Sequence, residues 1–196
     1  ATDLDPWTLV TAAHCLEHQV NGQGSWDVYS GPQYRMGDVP IARAPSRNGH
    51  INAGYNPEVS EFFYDVGVLR IDSPLNSSLH YVSIPNDPIP LAAGQELHRI
   101  GFGLRPSGNV RTWLRSVFQF FDLPGAKGTG RTRDALGVVG DSGGPVYLHV
   151  PGQGLSLVAL HSSWEADAAL DRYEAWSPHL PPLRAWIEDA AGHSLD

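Results

Sequence analysis

The chain of 196 residues holds a single cysteine, Cys15, and a single lysine, Lys127. One thiol cannot close an intrachain disulfide, so the fold rests on buried apolar surface, and a chain of this length can bury a sizeable core. Cationic side chains are scarce as well. The 13 Lys and Arg are outnumbered by 21 Asp and Glu, and the formal net charge of −8 excludes a general phosphate-binding surface and with it a nucleic-acid partner. No apolar run is long enough to span a bilayer, and Ala1 to Pro6 carry neither the basic head nor the apolar stretch of a signal peptide. A soluble chain without a membrane partner is expected, either mature or truncated. Helical periodicity of ten or more residues is nowhere interleaved with strand-like runs, which excludes a parallel sheet built from βαβ units.

What the chain has in abundance is punctuation: 21 glycines and 16 prolines, a density that suits short strands and turns. Apolar or alternating runs at Trp7 to Val10, Val66 to Ile71, Leu97 to Phe102, Val117 to Phe121, Pro145 to Val150 and Leu155 to Leu160 read as strands. An antiparallel, all-β architecture is expected. Three prolines between Ile84 and Pro90 mark a connector, dividing the chain into residues 1–83, a Pro-rich link at 84–98, and residues 99–196. The glycine-rich stretch Leu123 to Arg131 has no hydrophobic period and reads as a long mobile loop. One helix is expected, where Leu180, Leu183, Trp186, Ile187 and Ala190 recur at three- and four-residue spacing behind Pro181 and Pro182.

Three short segments carry chemistry, in this order: Thr11-Ala12-Ala13-His14-Cys15, Asp65-Val66-Gly67-Val68-Leu69-Arg70 and Gly140-Asp141-Ser142-Gly143-Gly144-Pro145. Amide hydrolysis by a serine needs an imidazole to take the hydroxyl proton and a carboxylate to hold that imidazole in one tautomer. His14, Asp65 and Ser142 supply those groups. Glycines beside Ser142 let backbone N–H groups of Gly140 and Ser142 converge on a developing oxyanion. Competing signals are weak. His14 and His18 stand four apart without the glutamate a zinc protease places beside its first histidine, and Gly125 to Gly130 lacks the Gly-Lys-Ser/Thr ending of a phosphate loop. No metal or cofactor is expected. Arg111, Arg115, Lys127, Arg131 and Arg133 read as a solvated face, and Cys15 as a buried, small apolar side chain.

The three segments resemble the trypsin-like serine proteases of the chymotrypsin fold, whose mechanism is a general template for serine catalysis. Trp7 to Val10, Ile100 to Gly103 and Tyr173 to Ile187 extend the likeness over nearly the whole chain. The resemblance implies two antiparallel six-stranded-type β-barrels with a C-terminal α-helix. It assigns His14 as base, Asp65 as orienting carboxylate and Ser142 as nucleophile, with Gly140 and Ser142 as oxyanion donors and Asp141 as the activation-type aspartate. A polypeptide substrate, protein inhibitors of the same cleft, a monomeric state and a secreted or extracytoplasmic setting are implied as well. An α/β-hydrolase fails on order, since it runs nucleophile, acid, histidine.

Departures from the family pattern shape three further expectations. The chain begins where the family's second strand runs, so the first barrel is expected to be incomplete, without the partner of Cys15. Ala1 is expected far from Asp141, leaving a weak enzyme; the alternative is a silent binding or regulatory module of the same fold. Leu136 stands where a trypsin carries its pocket aspartate, which argues against cleavage after Arg or Lys. The wall strand around His161, Ser162, Ser163 and Trp164 fits the family's serine in two registers, with Ser163 or with Ser162 as the match. In the second, His161 occupies the position that acid-selective members use for the substrate carboxylate; the bland alternative is a structural side chain alternating on the strand.

Overall fold

A computed structural model describes residues 1–20, 24–29, 38–58, 64–76, 81–87, 89, 91, 95–101, 103, 115–124, 129–133, 140–167 and 172–195. The first half opens with β1 (Thr2–Asp5) and β2 (Thr8–Thr11), joined by a tight turn in which the Trp7 N–H donates to Asp5 Oδ1 at 2.7 Å. A 3-10 turn (Ala13–Cys15) and the four-residue helix α1 (Glu17–Val20) follow, then β3 (Ser25–Val28), β4 (Ala42–Pro45), β5 (Gly49–Ile51) and β6 (Gly67–Arg70). The second half carries β7 (Gln95–Gly101), β8 (Arg115–Pro124), β9 (Thr129–Arg133), β10 (Pro145–Val150), β11 (Gly154–Leu160), β12 (Ser163–Asp167) and β13 (Arg172–Pro178), and ends in α2 (Arg184–Ala191).

Every strand pairing among the described residues is antiparallel. Three sheets result, ordered β1-β2-β6-β5, β3-β4, and β11-β10-β7-β8-β9-β13-β12. The chain is thus mostly β-sheet with a short C-terminal helix, in agreement with a chymotrypsin fold. A bridge between Ala159 and His179 brings the end of β11 beside the end of β13, yet no ladder among the described residues closes a barrel. The glycine-rich stretch departs from its reading as one long loop. Leu123 and Pro124 pair with Arg131 and Gly130, so both ends belong to a β8–β9 hairpin, and residues 125–128 lie outside the described residues. Cross-strand hydrogen bonding, rather than side-chain alternation, makes these residues extended.

One buried cluster spans the two halves, while a second keeps to residues 9–75 and a third to residues 91–159. Leu4, Val10, Val66 and Val68 from the first half pack with Ile84, Tyr147, Leu157, Leu160, Leu180 and Ile187 in one buried cluster. The helix explains much of this, since Ile187 is wholly buried in that cluster. Burying such a side chain stabilises by roughly 1.5–3 kcal/mol. Pro181 and Pro182 form the opening 3-10 turn, where their missing N–H groups cost nothing. Arg184, itself buried, donates to the carbonyls of Ile84 and Leu195 and pairs with Glu188 at 3.0 Å. Ile84, the first residue of the Pro-rich link, is therefore anchored at both its side chain and its carbonyl. The two halves meet along this helix, and the chemistry-bearing segments lie on the same seam.

Candidate active site

Thr11 pairs with Gly67 at the last rung of the β2–β6 ladder. The chain leaving β2 and the chain entering β6 are consequently side by side, which brings His14 to Asp65. The His14 N–H donates to Asp65 Oδ1 at 2.9 Å, and Nδ1 lies 2.7 Å from Oδ2. With Nδ1 carrying the proton shared with the carboxylate, Nε2 is left to accept one. Asp65 has no exposed surface, so its charge is stabilised by the hydrogen bonds it accepts and, when His14 is protonated, by the imidazolium. Its third donor is the Ser162 hydroxyl, on Oδ2. The Asp65 hydrogen bond raises the His14 pKa above the ordinary 6.5, with Cys15 adding to the effect and burial opposing it.

Ser142 sits in the turn that precedes β10. Gly140 and Gly143 hold this turn open with φ of 94° and 73°, values that side chains seldom adopt. Gly143 is also needed for contact: a Cβ there would overlap the Thr11 hydroxyl and lie 2.8 Å from the Ala12 nitrogen. The nucleophile turn is thereby pressed against the end of β2. Two backbone bonds brace it from the other side, Gly143 N–H to His161 O at 2.7 Å and His161 N–H to Gly144 O at 2.8 Å. The Ser142 hydroxyl donates to Ser162 O at 3.4 Å, rather than to the His14 ring. Ser162 therefore joins the halves of the site, its hydroxyl on Asp65 and its carbonyl beneath Ser142. Among the described residues neither the Gly140 nor the Ser142 N–H donates to a backbone carbonyl.

Asp141 is buried, with Oδ1 accepting the Gly103 N–H at 2.6 Å. Ala1 and Asp141 border one cavity of about 240 Å³, together with Thr2, Asp3, Gly101 and Tyr147, and the charged groups that act on the Ala1 amine are Cys15 and Asp3. Ala1 reaches this cavity because β1 runs along the seam: Asp3 O accepts from Val82 N–H, and Leu4 packs in the cluster that contains Tyr147. Cys15 also departs from its reading, for it is exposed. The 3-10 turn sends Ala13 and Leu16 into the core and leaves the intervening thiol outward.

Of the expected specificity residues, Leu136 and the Trp164 side chain lie outside the described residues. His161 is 1% exposed, and its Nδ1 finds no hydrogen-bond partner among the described residues. The Ser163 hydroxyl is buried and likewise unpartnered. It is Ser162, and not Ser163, that reaches Asp65. One contact went unread in the sequence. The Tyr55 hydroxyl donates to Glu17 Oε2 at 3.5 Å, and neither residue stands in a motif that would have drawn attention to it.

Four segments that are remote in sequence thus converge on one histidine, one carboxylate and two serines. The family model described as Trypsin matches residues 2–187. No curated protein matches the chain. The order of the motifs, the antiparallel sheets, the helix and this match over almost the full length place the chain in the trypsin family.

Proposed function

We propose that the chain is a secreted serine endopeptidase that cleaves polypeptides through an acyl-enzyme. The observation that carries the reading is the continuous set of contacts from His14 through Asp65 and Ser162 to Ser142. In the reaction the Ser142 hydroxyl turns from Ser162 O to the free His14 Nε2 and gives up its proton as Oγ attacks the scissile carbonyl. Asp65 then stabilises the imidazolium, worth more in a dry site than in water. The carbonyl oxygen, now anionic, is received by the Gly140 and Ser142 N–H groups. Collapse of the tetrahedral species expels the amine, which takes the proton from His14. Water, activated by the same histidine, releases the acid and regenerates Ser142.

Substrate choice is non-tryptic in this reading. Leu136 offers no charge to a substrate cation, and the buried His161 imidazole, with an unpartnered Nδ1, favours an apolar or acidic residue before the cut. Labelling with a fluorophosphonate tests the activity. The parent chain takes up the label at Ser142, while Ser142→Ala and His14→Ala lose both labelling and hydrolysis, with rate losses of order 10⁴ or more, as for triad members generally. Full activity in Ser142→Ala would overturn the assignment.

A further inference from the structure

We propose that Tyr55 and Glu17 are positioning residues for the catalytic pair, a phenol-to-carboxylate link that ties the segment leaving His14 to the segment entering Asp65. The inference rests on the peptidase reading above. Glu17 opens α1, three residues after His14. Tyr55 belongs to a turn closed by its own N–H on Asn52 O at 2.9 Å and by the Gly54 N–H on Asn52 Oδ1 at 2.9 Å. This turn is held on both sides of Asp65. The Asn52 N–H donates to Val66 O at 3.0 Å, and Gly54 lies so close to the Tyr64 ring that a Cβ would come within 2.7 Å of it.

The Tyr55 hydroxyl reaches from this turn to Glu17 Oε2 at 3.5 Å, a long contact that a small movement of either side chain shortens to an ordinary O–H···O bond. Burial, the Asp65 charge and the Glu17 charge, in that order, push the Tyr55 phenol up to about 12, with Cys15 adding a smaller push. The phenol stays protonated over any working pH and donates throughout. His14 and Asp65 are 51 residues apart in sequence and touch through one carboxylate. A further tether between their segments, beyond the Thr11–Gly67 rung of the β2–β6 ladder, limits how far that carboxylate can drift from the imidazole, and small displacements of a catalytic group are costly in rate.

The test uses Y55F, E17A, E17Q and the Y55F/E17A double variant on an activated ester and a peptide. Y55F and E17A are expected to lower kcat about tenfold with KM within about twofold, since the link orients the catalytic groups without touching substrate. The double variant loses no more than the worse single, because one interaction is removed twice. E17Q, whose amide oxygen still accepts from Tyr55, recovers most of the rate. Melting curves accompany every variant, and a kcat loss that persists well below the transition separates positioning from unfolding. The His14 Nδ1 proton is followed by NMR in the Ser142→Ala background, where its resonance is expected to shift or broaden on adding Y55F. A kcat for Y55F and E17A within about twofold of the parent, or losses that multiply in the double variant, would overturn the proposal. Should the parent neither hydrolyse ester nor take up fluorophosphonate, the peptidase reading falls, and the Nδ1 resonance alone decides the tether: an unchanged signal in Y55F refutes it.

Discussion

Replacing Ser162 by alanine isolates the group that joins the two halves of the site. Asp65 is fully buried and accepts three hydrogen bonds, from the His14 N–H, from His14 Nδ1 and from the Ser162 hydroxyl. The substitution removes the third and leaves a methyl in its place, so shape is nearly kept and the carboxylate loses a donor that water cannot replace. A hydrogen bond to a charged group contributes roughly 1.5–3 kcal/mol, and that is the expected loss of stability. For a domain of this size the same loss lowers Tm by about 3–12 °C. If all of it were felt in the transition state, kcat would fall by about one to two powers of ten, which is therefore the ceiling on the rate effect. Urea unfolding at pH 7, read by the fluorescence of the six tryptophans, gives the stability term at constant m. Ser163→Ala is the matched control. Its hydroxyl is buried without a partner among the described residues, so its removal relieves an uncompensated desolvation and leaves stability equal or higher. Equal damage from the two substitutions, or a Ser162→Ala chain as stable as the parent, would refute the assignment of Ser162 to Asp65.

Gly143→Ala is expected to cost about 2–5 kcal/mol and most of the activity, combining a left-handed backbone at φ 73° with overlap against Thr11 and Ala12; chemical denaturation measures the first and ester turnover the second. Because His14 acts as base only when neutral and Asp65 raises its pKa above 6.5, the acid limb of the pH–rate profile lies on the alkaline side of that value, and Cys15→Ala moves it part of the way back. The same shift stabilises the fold fully below pH 6.5, the unfolded value, and the contribution is lost as pH rises through the higher folded value. A limb at or below 6.5 would contradict both statements. On matched peptides, apolar or acidic residues before the cut outrank Arg and Lys; if Glu or Asp ranks first, His161→Ala erases that preference and spares apolar substrates, whereas equal loss on both marks His161 as structural.

Which features were legible in the sequence follows from how far apart the deciding atoms are. The run Gly140 to Pro145 was readable because its residue types are dictated within six positions: glycine at the positive φ of Gly140 and Gly143, and a serine between them. The C-terminal helix was readable for the same local reason, its apolar spacing matching the face that buries Ile187. β10 was found at both ends, while β1, β3, β4 and β5 escaped. These have three or four residues each, and β1, β3 and β4 alternate between more and less buried positions. Such spans are too short for a period of two to stand out from chance, whereas the equally short β2 and β6 are almost wholly buried and read as apolar runs. The β8–β9 hairpin escaped because its glycines and arginines become extended only once β7 and β13 flank them.

The register at Ser162 is the instructive case, since the two alternatives are adjacent serines where the chain passes from β11 into β12. A slip of one residue exchanges the faces of a strand, so either serine satisfies every local rule equally well. What separates them is a carboxylate 97 positions earlier in the chain. That carboxylate is buried and must collect donors wherever the fold brings them, and the backbone bonds between His161 and the Gly143–Gly144 turn fix which residue arrives. Cys15 obeys the same logic in the opposite sense. Its neighbours Ala13 and Leu16 fill the inward positions of the 3-10 turn, and a cysteine that composition alone would bury is left outside beside the histidine whose proton affinity it helps to raise. Local sequence therefore specifies the chemistry available to the site, and contacts between remote segments decide which of two equivalent side chains performs it.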